Sequence, residues 1–389
     1  MGLLRSGVVM SCFVLLSAVG LGDAQWLRYR TSSNVGDELS TSANRYYRGF
    51  EKGRPEGVRC PAFKSDMPLF IKWNTPMDER GYRWVAVDRK TSSGLHTILY
   101  VDSNGDGHLD DETPVEARQN DQYTVAFEPV AVYLKGEDGP ITYHLSCEFY
   151  SYNEQSTYLM ISTGGYYEGT ALIGGKAVPC ALVDYNGNGT FDDTAEDFNA
   201  DRIVLGDERN RQTYYVGRYL DYGDVLYRVQ IARDGAFVEL TAAPDVAFGV
   251  VTVPGTLTKF SAGGVNGMFE KTPTDGQVRL PEGTYRVYSW EIGRKDKGVN
   301  WVLSGSGFPR ETAFQVRADA TAAMDVGEPV FSRLSVSQRE GAYSVNQELR
   351  GKMGEQISLL RNGSRPSAPK VNIRSKTGEY DRTFSLEYG

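Results

Sequence analysis

From Phe70 onward the sequence is a succession of short runs in which apolar and polar residues alternate, each closed by Gly, Pro, Asn or Asp. Residues 82–87, 97–101, 123–127, 141–145, 158–161 and 225–229 are examples, all rich in Val, Ile, Leu, Tyr or Trp. Alternation with a period of two, bounded by turn residues, is the signature of half-buried strands. No long stretch carries the i, i+3, i+4 apolar stripe of a helix. The 24 Tyr, 16 Phe and 43 Gly agree with this, since aromatic side chains suit a pleated surface and Gly suits tight turns. The pattern predicts an all-β chain of two or three mostly antiparallel β-sandwich-like domains, with calcium-loop insertions described below.

The first 24 residues stand apart. Arg5 precedes an apolar run from Val8 to Leu21, and the small residues Gly22 and Ala24 follow. That order is expected of a secretory signal peptide, cleaved after Ala24. The run is too short to span a bilayer, which takes roughly 20 apolar residues, and Cys12 sits too early in it for a lipid anchor. The expected location is secreted or periplasmic, with no membrane span after cleavage. Residues 25–69 are polar and read as an irregular N-terminal segment. A β-rich domain is expected over 70–244, a β-sandwich-like domain over 245–328, and a small β domain over 329–389, with breaks near Pro244 and Pro329.

A layout near Pro281 narrows the second domain. Residues 276–287 read as a strand, a Pro281-Glu282-Gly283 turn and an alternating strand. They resemble the Leu-Pro-x-Gly-x-Tyr-x-Val hairpin of prealbumin-like and carboxypeptidase-regulatory-like modules, which implies a small secreted β-sandwich.

The net charge of −8 argues against a nucleic-acid partner, because phosphate binding needs clustered Lys and Arg. It is compatible with cation binding. Past the leader three cysteines remain, Cys60, Cys147 and Cys180. They allow one disulfide and a spare thiol, or three buried thiols, and their spacing is unlike a zinc site. Of the three histidines, His96 and His144 lie in strand-like runs and read as ordinary packed residues. No motif of nucleophilic, metalloprotease or phosphate-loop chemistry is present, so no catalytic residue is singled out.

The chemistry-bearing signal is residues 102–112. A calcium loop places oxygen ligands at alternate positions and Gly at the sixth, where the backbone turns sharply. Here Asp102, Asn104 and Asp106 take positions one, three and five, and Gly107 the sixth. His108 offers its backbone carbonyl at the seventh, Asp110 falls at the ninth, and Leu109 between them faces the core. Thr113 stands where an EF-hand has its bidentate Glu, so Asp111 or Glu112 must substitute. A strand-like run, not a helix, leads in. A second copy starts 82 residues later, with Asp184, Asn186, Asn188, Gly189, Thr190 and Asp192 in the same register and Asp193 following. Asn188 replaces an Asp, which removes a charge and weakens the expected site. Ala195 occupies the twelfth position, leaving Glu196 and Asp197 as late ligands. Asn-Gly and Asp-Gly pairs also serve plain hairpin turns with no metal. Asn188 and Asn362 each open a glycosylation sequon, and both are read as turns.

These loops resemble the EF-hand-like Asp-x-Asn-x-Asp-Gly loops of uncharacterised secreted bacterial β-rich proteins. The resemblance implies calcium binding and an envelope location, with Ca2+ favoured at the first loop over the second. The expected function is a secreted calcium-binding structural or binding protein of the cell envelope, whose partner is an envelope protein or a polysaccharide. The alternative is a carbohydrate-binding protein or a glycoside hydrolase, which needs only two carboxylates facing a cleft.

Overall fold

The computed structural model describes residues 25–387 apart from 42–44, 48, 92–93, 137–138, 154–155 and 310–311. The signal peptide expected at 1–24 lies outside the described residues. Of the described residues 55% are in strands and 1% in helix, in several mostly antiparallel sheets, as the alternation predicts.

Residues 25–243 build three sheets around one continuous core. The largest sheet runs through Arg45–Tyr47, Thr157–Thr163, Pro140–Ser151, Thr124–Phe127, Val115–Asn120, His96–Val101, Tyr82–Arg89, Leu69–Asn74 and Glu51–Lys52, with Val130–Lys135 also paired to Pro140–Ser151. A five-stranded sheet carries Gln212–Tyr215, Arg202–Leu205, Lys176–Val183, Gly165–Ile173 and Arg28–Thr31. A four-stranded sheet carries Gln25–Trp26, Phe237–Ala242, Val225–Ile231 and Tyr219–Tyr222. Trp73, Val85, Leu99, Tyr143, Leu145, Phe149, Leu182, Phe191 and Val238 are among the buried residues that join them. Side chains alternate as the pleat requires: Leu159 and Ile161 face inward, while Tyr158 and Met160 are half-buried.

Two strands depart from half-burial. In Tyr82–Arg89 and His96–Val101 nearly every residue is buried. One face, with Val85, Val87, Leu99 and Val101, meets the main core. The other, with Trp84, Ala86, Ile98 and Tyr100, meets a second cluster of Phe70 and Leu109, covered by Val58, Cys60 and Phe63. The polar stretch expected to be irregular therefore has a structural role. Its residues 28–31 pair antiparallel with 165–168, residues 45–47 pair with 159–161, and a five-residue helix, Val35–Leu39, is capped by Asn34, whose side chain accepts the Asp37 N–H. Sequence pattern missed this because edge strands of two to four residues are too short to show a period.

The second unit is a two-layer sandwich. Phe248–Thr252 pairs with Gln277–Pro281 and, in parallel, with Thr321–Ala323. The facing sheet orders Gly267–Lys271, Lys259–Gly264, Gly283–Asp296, Val299–Ser306, Gln356–Arg361, Ala342–Arg350 and Phe331–Arg339. Val251, Leu280, Phe260, Tyr285, Trp290 and Ile292 fill the space between. Two expectations are corrected here. The layout around Pro281 is not a hairpin: Gln277–Pro281 and Gly283–Asp296 belong to different sheets, and the turn carries the chain across the sandwich. Tyr285 pins that corner by donating its hydroxyl to the Pro281 carbonyl at 2.8 Å, a role buried tyrosines take at sandwich corners. And the sheet does not stop near Pro329, because Val299–Ser306 pairs along its length with Gln356–Arg361.

Cys60, Cys147 and Cys180 are free thiols. Burial pushes the Cys147 and Cys180 thiols up to about 12. His96 and His144 lie in strands, packed on Phe149 and Tyr29 respectively. Among the described residues no helix is long and apolar enough to cross a membrane.

Candidate functional site

The two Asp/Asn/Gly loops have one backbone plan. Each begins at the first residue after a strand, Asp102 after His96–Val101 and Asp184 after Lys176–Val183, and each first carboxylate is fully buried. Asp102 accepts the N–H groups of Gly105 at 2.9 Å and Gly107 at 3.0 Å. Asp184 accepts those of Gly187 at 2.7 Å and Gly189 at 2.6 Å. All four glycines have positive φ, between 65° and 92°, a conformation in which a Cβ is strained. The parallel continues along the loop. Asp106 Oδ1 accepts the His108 N–H and Asn188 Oδ1 the Thr190 N–H, both at 2.8 Å. Asn104 Nδ2 donates to Asp111 and Asn186 Nδ2 to Asp193, at 2.9 and 2.6 Å. Leu109 and Phe191 anchor the two loops in the core.

What differs is how the charge is balanced. In the first loop arginines do it. Arg80 meets Asp102 at 3.1 Å and also donates to the Gly105 carbonyl. Arg83 bonds the Ser103 carbonyl at 2.7 Å, and its Nε pairs with Asp78. Arg59 pairs with Asp110 at 3.1 Å and with Asp106 at 3.5 Å. Glu112 turns back to the Ser103 N–H and hydroxyl. Burial raises the Asp102 pKa, and Arg80 and Arg83 oppose the rise. Asp110, expected at the ninth position, is exposed and held by Arg59, and the His108 ring accepts the Arg59 N–H at 3.0 Å.

The second loop has no such clamp. Asp184 accepts the Tyr143 hydroxyl at 2.8 Å, and Tyr143 stacks on Trp73, whose indole N–H donates to the Gly187 carbonyl at 2.7 Å. Beside it lies a second fully buried carboxylate, Asp201, which accepts the N–H groups of Tyr185 and Asp193 at 2.9 and 2.8 Å. Asp201 holds the N–H of the loop's second residue, as Glu112 does in the first loop. Among the described residues none of Asp184, Asp193 and Asp201 forms an ion pair with Lys or Arg. The nearby Arg202 is stacked between the Tyr185 and Tyr215 rings, 3.8 and 3.6 Å from their centroids. Burial pushes the Asp184 carboxyl up to about 6. Burial, then the charges of Asp184 and Asp193, hold the Asp201 carboxyl well above the usual range.

Asn186, Asn188 and Thr190 converge on one oxygen, Asp193 Oδ2, at 2.6, 2.7 and 3.3 Å. With both amides turned this way, Asn186 Oδ1 is buried without a hydrogen-bond partner. The loop opens into a cleft of about 590 Å³ against the second sandwich, where Glu196, Asp197, Arg286 and Tyr288 line the wall. Asp192 is exposed.

The sequence register thus located both loops, and the structure brings Asp184, Asn186, Asn188, Thr190 and Asp193 together. Asp110 and Asp192 are exposed, whereas the first residues of their loops, Asp102 and Asp184, are buried. The residues that the register could not find are Asp201, Tyr143 and the three arginines, which come from other strands and turns. Among the described residues no group of three or more His, Cys, Asp or Glu side chains is placed to hold a metal ion. The second loop's donors are mainly amide and hydroxyl oxygens around one carboxylate. No protein-family model, no curated protein and no solved structure matches the chain.

Proposed function

We propose that this chain is an exported calcium-binding protein of the cell envelope, acting as a structural or binding component, and that its ion belongs to the second loop. The observation that carries this reading is the convergence of Asn186, Asn188 and Thr190 on Asp193, next to two buried carboxylates that form no ion pair with Lys or Arg among the described residues. On rotation of the Asn186 amide its carbonyl oxygen is directed at the same point, whereas the Asn188 oxygen stays on the Thr190 N–H and hydroxyl. Amide orientation is decided by whatever partner is present. Rotation also relieves the orphaned Asn186 oxygen. Carboxylate, amide and hydroxyl oxygens form the hard donor set that Ca2+ takes, and the adjoining cleft gives the ion a route in. The bound charge would offset Asp184 and Asp201, whose burial as anions is otherwise costly.

The first loop suits an ion less well, because Arg80 and Arg59 already lie against Asp102, Asp106 and Asp110. It reads as an arginine-clamped turn with the same backbone. Export rests on the leader-like residues 1–24. An envelope protein or polysaccharide is the partner class that suits such a location, and the net charge of −8 disfavours nucleic acid.

The test is isothermal titration with Ca2+ together with thermal unfolding in EGTA and in millimolar Ca2+. Binding to the folded state alone raises stability by about 2.7 kcal/mol at one hundred times Kd. The wild type should bind one ion and melt higher, Asp193→Ala should lose both effects, and Asp106→Ala should keep them. No heat and no shift in the wild type would end the reading.

A further inference from the structure

Residues 329–389 form a surface unlike the rest of the molecule. The hairpin of Phe331–Arg339 and Ala342–Arg350 pairs along its whole length, yet it joins the sheet beyond it through the single pair Arg350↔Gln356. It projects as a two-stranded ribbon. Lys370–Arg374 and Asp381–Ser385 form a second, separate ribbon. An isolated two-stranded ribbon is marginal in water, so both gain from a cover.

The first ribbon is amphipathic. Its register places Val336 opposite Val345, Gln338 opposite Tyr343, and Leu334 opposite Gln347 on one face. On that face Leu334, Val336 and Tyr343 are 56%, 59% and 67% exposed. Beside the first ribbon, against the adjoining sheet strands, lies a groove of about 1030 Å³, whose apolar lining includes Trp301, Leu349, Ile357 and Leu386. Contiguous exposed apolar surface of this kind marks an interaction site. The charge says what it suits. Residues 329–389 carry ten Lys and Arg against six Asp and Glu, whereas residues 25–328 carry thirty-one against forty-three. The segment is basic and the body it leaves is strongly acidic.

We propose that the ribbon face and groove of residues 329–389 dock on the acidic body of a second copy of this chain, in a head-to-tail contact. Two such segments face to face would oppose like charge, which disfavours a two-fold contact between them. Opposite net charges steer the segment onto a body. Because the two surfaces are different, the contact is heterologous and can repeat from copy to copy.

Sedimentation equilibrium of the purified chain tests this, beside a Leu334→Ser/Val336→Ser/Tyr343→Ser variant. These three side chains are exposed, so the variant keeps its fold, and an unchanged circular dichroism spectrum and melting temperature check that. The wild type should associate, with affinity falling about tenfold or more between low and high salt. The variant alone should be monomeric, yet it should still accept a wild-type segment on its intact body, so that labelled variant mixed with wild type forms complexes and shortens the wild-type assemblies. A wild type that stays monomeric at high concentration and low salt overturns the proposal. So does association that persists in the variant, strengthens with salt, or requires the ribbon face on both partners.

Discussion

Asp184 and Asp201 show how far tertiary surroundings can move a single side chain. In an unfolded chain each has a pKa near 3.9. In the fold both lie higher, Asp184 at about 6 and Asp201 above the carboxylate range, with burial the leading cause. A raised folded pKa means that the native state holds the proton more tightly. The stability it contributes is complete below about pH 4 and is lost as pH rises through the folded values. In EGTA, the wild type should therefore lose stability relative to Asp201→Asn as pH rises above about 4, since the variant has no titrating carboxyl at that position. The amide gives up one acceptor for the Asp193 N–H, so the slope of the difference with pH carries the information, and its absolute offset does not. Parallel wild-type and variant curves across that range would mean that Asp201 is not protonated in the native state. Calcium should flatten the wild-type slope, because the ion replaces the proton.

At the scale of elements, the loops hold their shape by similar backbone bonds and different partners. Gly107 has φ of +88°, and a Cβ there would run into the Arg80 guanidinium. Gly187 has φ of +65°, and a Cβ there would meet only the Ser162–Thr163 backbone at ordinary contact distance. Strain at positive φ costs about 1–3 kcal/mol for a non-glycine residue. Gly107→Ala should cost more than Gly187→Ala in thermal unfolding, because it also displaces the arginine clamp; equal losses would show that the clamp adds nothing. The second loop has its own brace in Arg202. It stacks between Tyr185 and Tyr215 and bonds the Phe198 carbonyl at 3.3 Å and the Ala200 carbonyl. Desolvated cation–π pairs contribute about 2 kcal/mol. Arg202→Met fills much of the same space without the charge, and should destabilise by about 2–4 kcal/mol, since two carbonyl and two ring contacts go together. A change within 0.5 kcal/mol would contradict this account.

Over the whole molecule, the two units meet through backbone as well as side chains. Arg218 and Tyr219 donate to the Val265 and Asn266 carbonyls, both at 3.0 Å. Tyr219 and Leu226 of the first unit pack against the second core. Gly217 lies so close to Gly267 that any Cβ would collide with its backbone. The loop-two segment adds to the junction, with Phe198 against Tyr288 at 4.0 Å between ring centroids. Such a shared boundary couples the units, so calorimetry of the wild type should show the two units unfolding in one transition. Gly217→Val should force the backbones apart and split the transition in two. Two resolved transitions already present in the wild type would show that the junction is too weak to couple them.

Much of the architecture was legible in the residues alone. Alternation made the chain β, because a strand exposes successive side chains to opposite faces and nothing distant is needed to see it. The loop register was legible for the same reason: Gly105, Gly107, Gly187 and Gly189 and the side chains between them act within a few residues of one another. Pairing was not. The turn at Pro281 has the composition of a hairpin, and only the facing sheets decide that it crosses between them. The charge balance around the two loops was also beyond the sequence. Counting charges favours the loop with Asp106 over the loop with Asn188, but net charge at a site includes whatever the fold brings to it. Arg59, Arg80 and Arg83 arrive at the first loop from other segments, and Asp201 arrives at the second. Electrostatic balance is a property of points in space, and local sequence specifies only the part of it that the chain carries with it.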